Sequence, residues 1–220
     1  DRPGILLSSA IKRYIDLYGV ACGENNILFT NNDTAYETAI SLIQRGIKIN
    51  AIIDNREQID SKISYEVEKN NIEIYKGYTV VDTYGYRRIN KISIMKLSKD
   101  GQTVIGDKTK LNCDCLGVSG GWTPAVHLFT QSGGKLKFRE EDQVFIPDVY
   151  PSDQISIGSC NGYFSLEEIV KKTLFSIKKF LNIENSEYKT IEIVSGLNLS
   201  KRNIWLLPSD KSIGRTKSFI

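Results

Sequence analysis

The spacing of apolar residues changes several times along this chain, and each change predicts a different kind of element. In Gly4 to Tyr18 (GILLSSAIKRYIDLY), Leu7, Ile11, Tyr14 and Tyr18 recur at helical spacing with Lys12, Arg13 and Asp16 opposite. That pattern predicts an amphipathic helix, with Gly19 as its stop. Asn26-Ile-Leu-Phe-Thr30 is an apolar run of strand length, Asn31-Asn-Asp-Thr34 a polar turn, and Ala35 to Arg45 a helix ended by Gly46. Ile47 to Asp54 (IKINAIID) reads as a strand ending in an acid, and Ile59, Ile63 and Val67 mark another short helix. From Ile72 to Leu111 the period falls to two. Tyr78 to Asp82, Ile89 to Leu97 and Thr103 to Leu111 predict antiparallel strands, with turns at Tyr84-Gly-Tyr86 and Lys99-Asp-Gly101.

Cys115 to Ser119 reads as a short buried strand running into the loop Gly120-Gly-Trp-Thr-Pro124. Val144 to Pro147 and Ile155 to Gly158 predict two more strands. Ser165-Leu-Glu-Glu168 matches a capping box, and Leu166, Ile169, Val170, Leu174, Ile177 and Leu181 give the following helix an apolar face that predicts core packing. After Asn182 the pattern is extended and less regular. The order is an α/β one: a Rossmann-like parallel sheet crossed by an antiparallel β-meander, followed by a strand and helix that return to a companion dinucleotide domain. This is the layout of the NADH domain of two-dinucleotide flavoprotein reductases. The predicted division is residues 1–22 as helix and linker from the companion domain and 23–128 as the Rossmann-like domain. Residues 129–185 then return to the companion domain, and 186–220 are an extended linker.

The frame carries one departure that matters. A nucleotide binder places G-x-G-x-x-G after the first strand, because glycine lets the backbone approach a pyrophosphate at the helix N-terminus. Here the turn is Thr30-Asn-Asn-Asp-Thr-Ala-Tyr-Glu37. Asp54 lies where a ribose-binding acid would sit. The glycine-free turn favours a vestigial or surface role for it, with ribose contact the alternative. Asn31 and Asn32 are expected to supply left-handed turn conformations, and their side chains to occupy the space of a pyrophosphate.

Composition narrows the function classes. The 220 residues are 40% hydrophobic and 25% charged, with a net charge of +3 and acids interleaved with lysines. That excludes a nucleic-acid or anionic-membrane binder as the first reading. No apolar run approaches the ~18 residues needed to span a bilayer, and no signal peptide is visible, so a cytoplasmic protein with reduced thiols is expected. The chain starts at Asp1 and ends at Ser218-Phe-Ile220, which reads as a fragment of a longer polypeptide.

Five motifs in order make the reading specific. They are Arg2-Pro-Gly-Ile-Leu6, Tyr18-Gly-Val20, Phe29-Thr-Asn-Asn-Asp33 with Tyr36, Val118-Ser-Gly-Gly-Trp122 with Pro124-Ala-Val-His-Leu128, and Gln131-Ser-Gly-Gly134. Together they resemble the alpha subunits of heterotetrameric sarcosine oxidases over Arg2 to about Leu181. Thr216-Lys-Ser-Phe-Ile220 is similar to the segment leading into that subunit's folate-binding domain. The resemblance implies a complex with beta, gamma and delta subunits that oxidises the N-methyl group of sarcosine. It places FAD and FMN on or against the beta subunit, NAD in the alpha subunit, and the one-carbon unit on tetrahydrofolate. The NAD would be held mostly by sequence outside these residues. Within them, the resemblance assigns nucleotide contact to Gly158, Ser159, Cys160, Phe164 and Leu166. Related reductases carry a Gly-Asp pair there that holds a flavin ribitol. Ser159 stands in place of that Asp, which fits a nucleotide without a flavin.

No catalytic residue and no metal ligand is assigned. Cys113-x-Cys115 is two thiols on one face of a strand, too few for a zinc site, and His127 has a loop or packing role. Two rivals remain open: an alpha subunit of a related FAD-dependent amine or amino-acid dehydrogenase, and an NAD(P)H-dependent flavoprotein reductase. The reductase needs a glycine-rich turn after Thr30 and a redox Cys-x-x-Cys or a flavin Asp.

Overall fold

The computed structural model describes residues 2–151, 153–182 and 206–211. The expected linker beyond residue 185, with its Thr216–Ile220 motif, lies outside the described residues apart from 206–211. The chain divides into two units, with the boundary between Gly121 and Trp122, against the 128 expected from sequence.

The first unit is built on a parallel sheet. Its strands are β1 (Ile5–Leu7), β2 (Asn26–Thr30), β3 (Ile49–Asp54), β4 (Ile74–Lys76) and β8 (Cys115–Ser119), in the spatial order β1-β8-β2-β3-β4. Alternation along the central strands sorts their side chains between two faces. Leu28, Ile52 and Cys115 point to one core, which they share with Ile11 and Ile15 of α1 (Ser8–Tyr18), Tyr36, Ala39 and Leu42 of α2 (Thr34–Ile43), and Val67 of α3 (Lys62–Glu68). Ile27, Phe29, Ala51, Ile53 and Leu116 point to the other. That face is covered by the meander β5 (Tyr78–Tyr84), β6 (Lys91–Leu97) and β7 (Val104–Asn112), with Ile89, Ile92 and Ile94 inward. Gly117 of β8 is required where α1 approaches. A Cβ there would lie 2.6 Å from Leu28 Cδ2 and 2.8 Å from Ile11 Cδ1.

The start of the chain differs from its sequence reading. A short strand, β1, precedes the helix and pairs with β8, Ile5 opposite Leu116. The helix that follows buries Ser8, Ile11 and Ile15, while Leu7, Tyr14 and Tyr18 are exposed. The helical phase is thus rotated from the stripe that the apolar spacing marks, because Ser8 is held by Thr38 of α2 (Oγ to Oγ1, 2.9 Å). The sequence reading assigns residues 1–22 to a companion domain. In the structure β1 pairs inside this sheet and α1 packs on α2. Gly19 ends α1 at φ 64°, as its position predicts.

The second unit holds α4 (His127–Gln131), the hairpin β9 (Lys135–Arg139) and β10 (Val144–Val149), a 3-10 turn (Gly158–Asn161) and α5 (Leu166–Leu181). The sequence reading contains neither α4 nor β9. Residues Ile155–Ile157 form no strand; the second expected strand is replaced by a stretch leading into the 3-10 turn. α5 is present over its predicted span, but Ser165 makes no side-chain cap bond and none of its residues is buried. Leu166 and Leu181 are each 58% exposed. The apolar face is real and only partly covered: Ile169, Val170 and Leu174 are half-buried, and Ile169 lies against the 3-10 turn.

Candidate functional site

The carboxyl ends of β2, β3 and β8 and the N-terminus of α2 meet at the crevice where an open α/β sheet receives ligands. Here the crevice is built from side chains that satisfy one another. Thr30 Oγ1 donates to the Asn32 carbonyl (2.8 Å), and Asn32 Oδ1 accepts from the Thr34 backbone N–H (2.9 Å) and hydroxyl (2.6 Å). Asn31 Nδ2 donates across to the Gly120 carbonyl (2.9 Å), and Asn32 Nδ2 to the Ser119 carbonyl (3.3 Å). These bonds tie the β2–α2 turn to the end of β8. Neither asparagine has a positive φ. Their contribution is side-chain hydrogen bonding, and the left-handed conformation that the sequence suggests is not used.

Beneath the turn lies a buried ion network. Arg56, two residues past the end of β3, grips Asp54 with two hydrogen bonds, Nε to Oδ1 at 3.1 Å and Nη2 to Oδ2 at 2.8 Å. Its Nη1 lies 2.8 Å from Asp33 Oδ1. Asp33 is the cap residue of α2. Tyr36 completes the group, its hydroxyl donating to Asp54 Oδ2 at 3.0 Å. Asp33, Asp54 and Tyr36 are fully buried. Burial opposes the charge on Arg56, but the hydrogen bonds and charge of Asp54, reinforced by Asp33, outweigh it and hold Arg56 protonated. Burial, then the Asp54 carboxylate, pushes the Tyr36 phenol far above its ordinary range, so it stays a neutral donor.

This arrangement does not fit a dinucleotide. At the α2 N-terminus, where a pyrophosphate would rest, the Thr34 N–H is already taken by Asn32 Oδ1. The acid at the end of β3, neither on the surface nor free to take a ribose, is saturated by Arg56 and Tyr36. The sequence reading includes neither Arg56 nor the pairing of Tyr36. The one local signal was a cation placed at Asp54-Asn-Arg56, just past the strand's acid.

The residues assigned by resemblance lie in the second unit, on the 3-10 turn and the start of α5. Gly158 is buried at φ +75°, and its nearest neighbour to an added Cβ is Ile169 Cγ2 at 3.6 Å. Ser159 is exposed, Cys160 Sγ lies 2.9 Å from the Ile157 carbonyl, and Gly162 closes the turn at φ +78°. Phe164 is half-buried and Leu166 exposed. Ser159 and Cys160 therefore follow an extended stretch and not the end of a paired parallel strand.

Two further sequence expectations change. Cys113 packs with the meander core and Cys115 with the helix core, on opposite faces of the sheet. The chain turns at Asp114 between β7 and β8, so the two-residue period does not run through both thiols. Burial raises both, Cys113 to about 11 and Cys115 to about 12, which disfavours the thiolate. His127 is exposed at the start of α4.

No protein-family model matches the chain. Curated relatives do. The sarcosine oxidase subunit alpha of Corynebacterium sp. (strain P-1) is 32% identical over 166 residues, 74% of this chain and 17% of that protein. The one of Corynebacterium sp. (strain U-96) is 26% identical over 95% of this chain and 22% of that protein. The one of Rhizobium meliloti (strain 1021) is 30% identical over 66% of this chain and 14% of that protein. The chain thus spans between about a seventh and about a fifth of the length of these relatives. Among solved structures, the HOCl-induced flavoprotein disulfide reductase RclA from Escherichia coli superposes with a TM-score of 0.57 at 13% identity, over 85% of this chain and 41% of that one. L-proline dehydrogenase from P. horikoshii gives 0.51 at 18% identity, over 84% of this chain and 32% of that one. These likenesses show the fold alone, an α/β one. No helix among the described residues is long and apolar enough to cross a membrane. With a relative 32% identical across 74% of its residues, the chain belongs to the family of sarcosine oxidase alpha subunits.

Proposed function

We propose that this chain is a structural, nucleotide-associated region of the alpha subunit of a sarcosine oxidase complex. The complex oxidatively demethylates sarcosine to glycine and passes the one-carbon unit to tetrahydrofolate in a downstream domain. Its flavins, FAD and FMN, sit on or against a beta subunit, gamma and delta subunits complete the assembly, and it works in the cytoplasm. The observation that carries the structural role is the Asp33–Arg56–Asp54 network, which fills the crevice of the first unit with the chain's own side chains.

In this reading the NAD of the subunit belongs to a companion dinucleotide domain, to which residues 129–185 contribute. The second unit supports it by its exposed apolar surface: Leu128, Phe145, Leu166, Phe175 and Leu181 are all more than half exposed, and no residue of α5 is fully buried. An amphipathic helix gains its stability from packing, so such a face calls for a partner surface. Gly158, Ser159, Cys160, Phe164 and Leu166 would line the nucleotide there. The left-handed φ of Gly158, +75°, supports a tight backbone turn that a side chain would strain.

Two expected results test this. In the purified complex, Ser159→Asp sets a carboxylate beside a diphosphate and weakens NAD retention about tenfold, or ~1.4 kcal/mol; unchanged NAD content in the variant removes Ser159 from the site. The isolated chain oxidises neither sarcosine nor NADH with an acceptor dye, with or without added FAD, because no side chain here accepts a hydride. Turnover of NADH above background would establish the reductase reading instead, and a complex that oxidises another secondary amine in preference to sarcosine would establish the dehydrogenase one.

A further inference from the structure

The charges in the crevice of the first unit are the reverse of those a nucleotide needs. We infer that this crevice is a guanidinium site, permanently occupied by the chain's own Arg56, and that emptying it creates a pocket for a small guanidinium cation and not for a phosphate. Closure alone would serve the functional reading above; this inference concerns what the closed crevice recognises, and holds whichever complex the subunit serves.

Three observations carry it. First, both carboxylates are fully buried, and the guanidinium between them is 10% exposed. The planar fork meets Asp54 edge-on with two N–H bonds and reaches Asp33 with its remaining nitrogen, geometry an ammonium cannot copy. Second, two carboxyl groups face one guanidinium, so the crevice presents acceptors on both sides of the cation. Third, Asp33 Oδ2 is buried with no hydrogen-bond donor among the described residues. The site is thus under-supplied with donors and over-supplied with acceptors. Without Arg56, Asp33 and Asp54 would face each other across a space shaped for a guanidinium, at a helix N-terminus no longer open to anions.

The test uses the intact alpha subunit or its complex. Arg56→Ala is expected to melt at lower temperature than wild type. Millimolar methylguanidinium should raise its Tm saturably by several degrees, because a ligand bound only by the folded state stabilises it. Methylammonium and NADH should not, and wild type should respond to none of the three. Stabilisation of Arg56→Ala by NADH or ADP would mean a masked nucleotide site and overturn the inference. No rescue by methylguanidinium beyond methylammonium would reduce Arg56 to a packing residue and overturn it too. Should Arg56→Ala fail to fold, Asp33→Asn with Arg56→Ala carries the same comparison, since it removes one of the opposed charges and leaves Asp54 to bind the cation edge-on. Equal responses to the two cations in that variant would likewise refute it.

Discussion

Arg56→Leu is expected to destabilise the subunit by about 3–5 kcal/mol, the usual cost of leaving buried charge without its partner. Leucine fills part of the space but strands the Asp33 and Asp54 carboxylates, both fully buried, beside each other. The same principle makes a second expectation. Replacing all three, Arg56→Leu with Asp33→Asn and Asp54→Asn, should recover much of the loss, because buried ion groups exchanged together for neutral ones are often near neutral in stability. Urea midpoints of the single and triple variants in one background measure the difference. A single variant within about 1 kcal/mol of wild type would mean that the guanidinium is solvated and the network contributes little. A ribose-binding Asp54 would behave otherwise. It would have been left unpaired for its ligand, and losing Arg56 would change nucleotide affinity more than stability.

Gly85→Ala should cost at least about 3 kcal/mol, as backbone strain adds to a clash that no rotamer relieves. Gly85 joins β5 to β6 at φ +136°, and an added Cβ would lie 1.9 Å from the Arg88 carbonyl oxygen and 3.0 Å from Ile89 Cα. Both neighbours are backbone. Relief requires opening the connection, and that moves Ile89, 1% exposed, out of the core between meander and sheet. The Arg2 guanidinium, which donates to the Gly85 carbonyl, would lose its acceptor geometry as well. Gly106→Ala is the matched control. It also has a positive φ, +77°, but nothing lies within 4 Å of its added Cβ, so only the left-handed penalty of about 1 kcal/mol applies. Equal effects of the two substitutions, read from thermal or urea unfolding, would show that the Arg88 contact is relieved without opening the connection.

Much of the first unit was legible from residue order because its elements are defined by local periodicity. The apolar run at Asn26–Thr30, the alternation of the meander and the glycine at the end of α1 appear where the pattern places them, and the strand read as Ile47–Asp54 begins two residues later, at Ile49. The second unit was less legible. β9 reads Lys-Leu-Lys-Phe-Arg, a strand whose exposure does not alternate (Phe138 is 43% exposed) and whose pairing with β10 is a matter of register, Phe138 opposite Phe145. The spacing of α5 predicts core packing, yet none of its residues is buried, because periodicity states only which side is apolar and not what lies against it.

The candidate site divides along the same line. From the sequence alone came the βαβ frame, the glycine-free turn, the acid at the end of β3 and the expectation that this crevice holds no pyrophosphate. Each is a statement about residue type at a position, which short-range order determines. The tertiary structure decided who answers that acid. Arg56 is two residues from Asp54, yet its third nitrogen is matched by Asp33, across the turn from another strand, and Tyr36 reaches Asp54 from the first turn of α2. It also decided that Cys113 and Cys115 face opposite cores. Such pairings exist only when parallel strands distant in sequence are brought side by side. Burial then gives them their strength, since a carboxylate held inside the chain gains most from a cation placed against it.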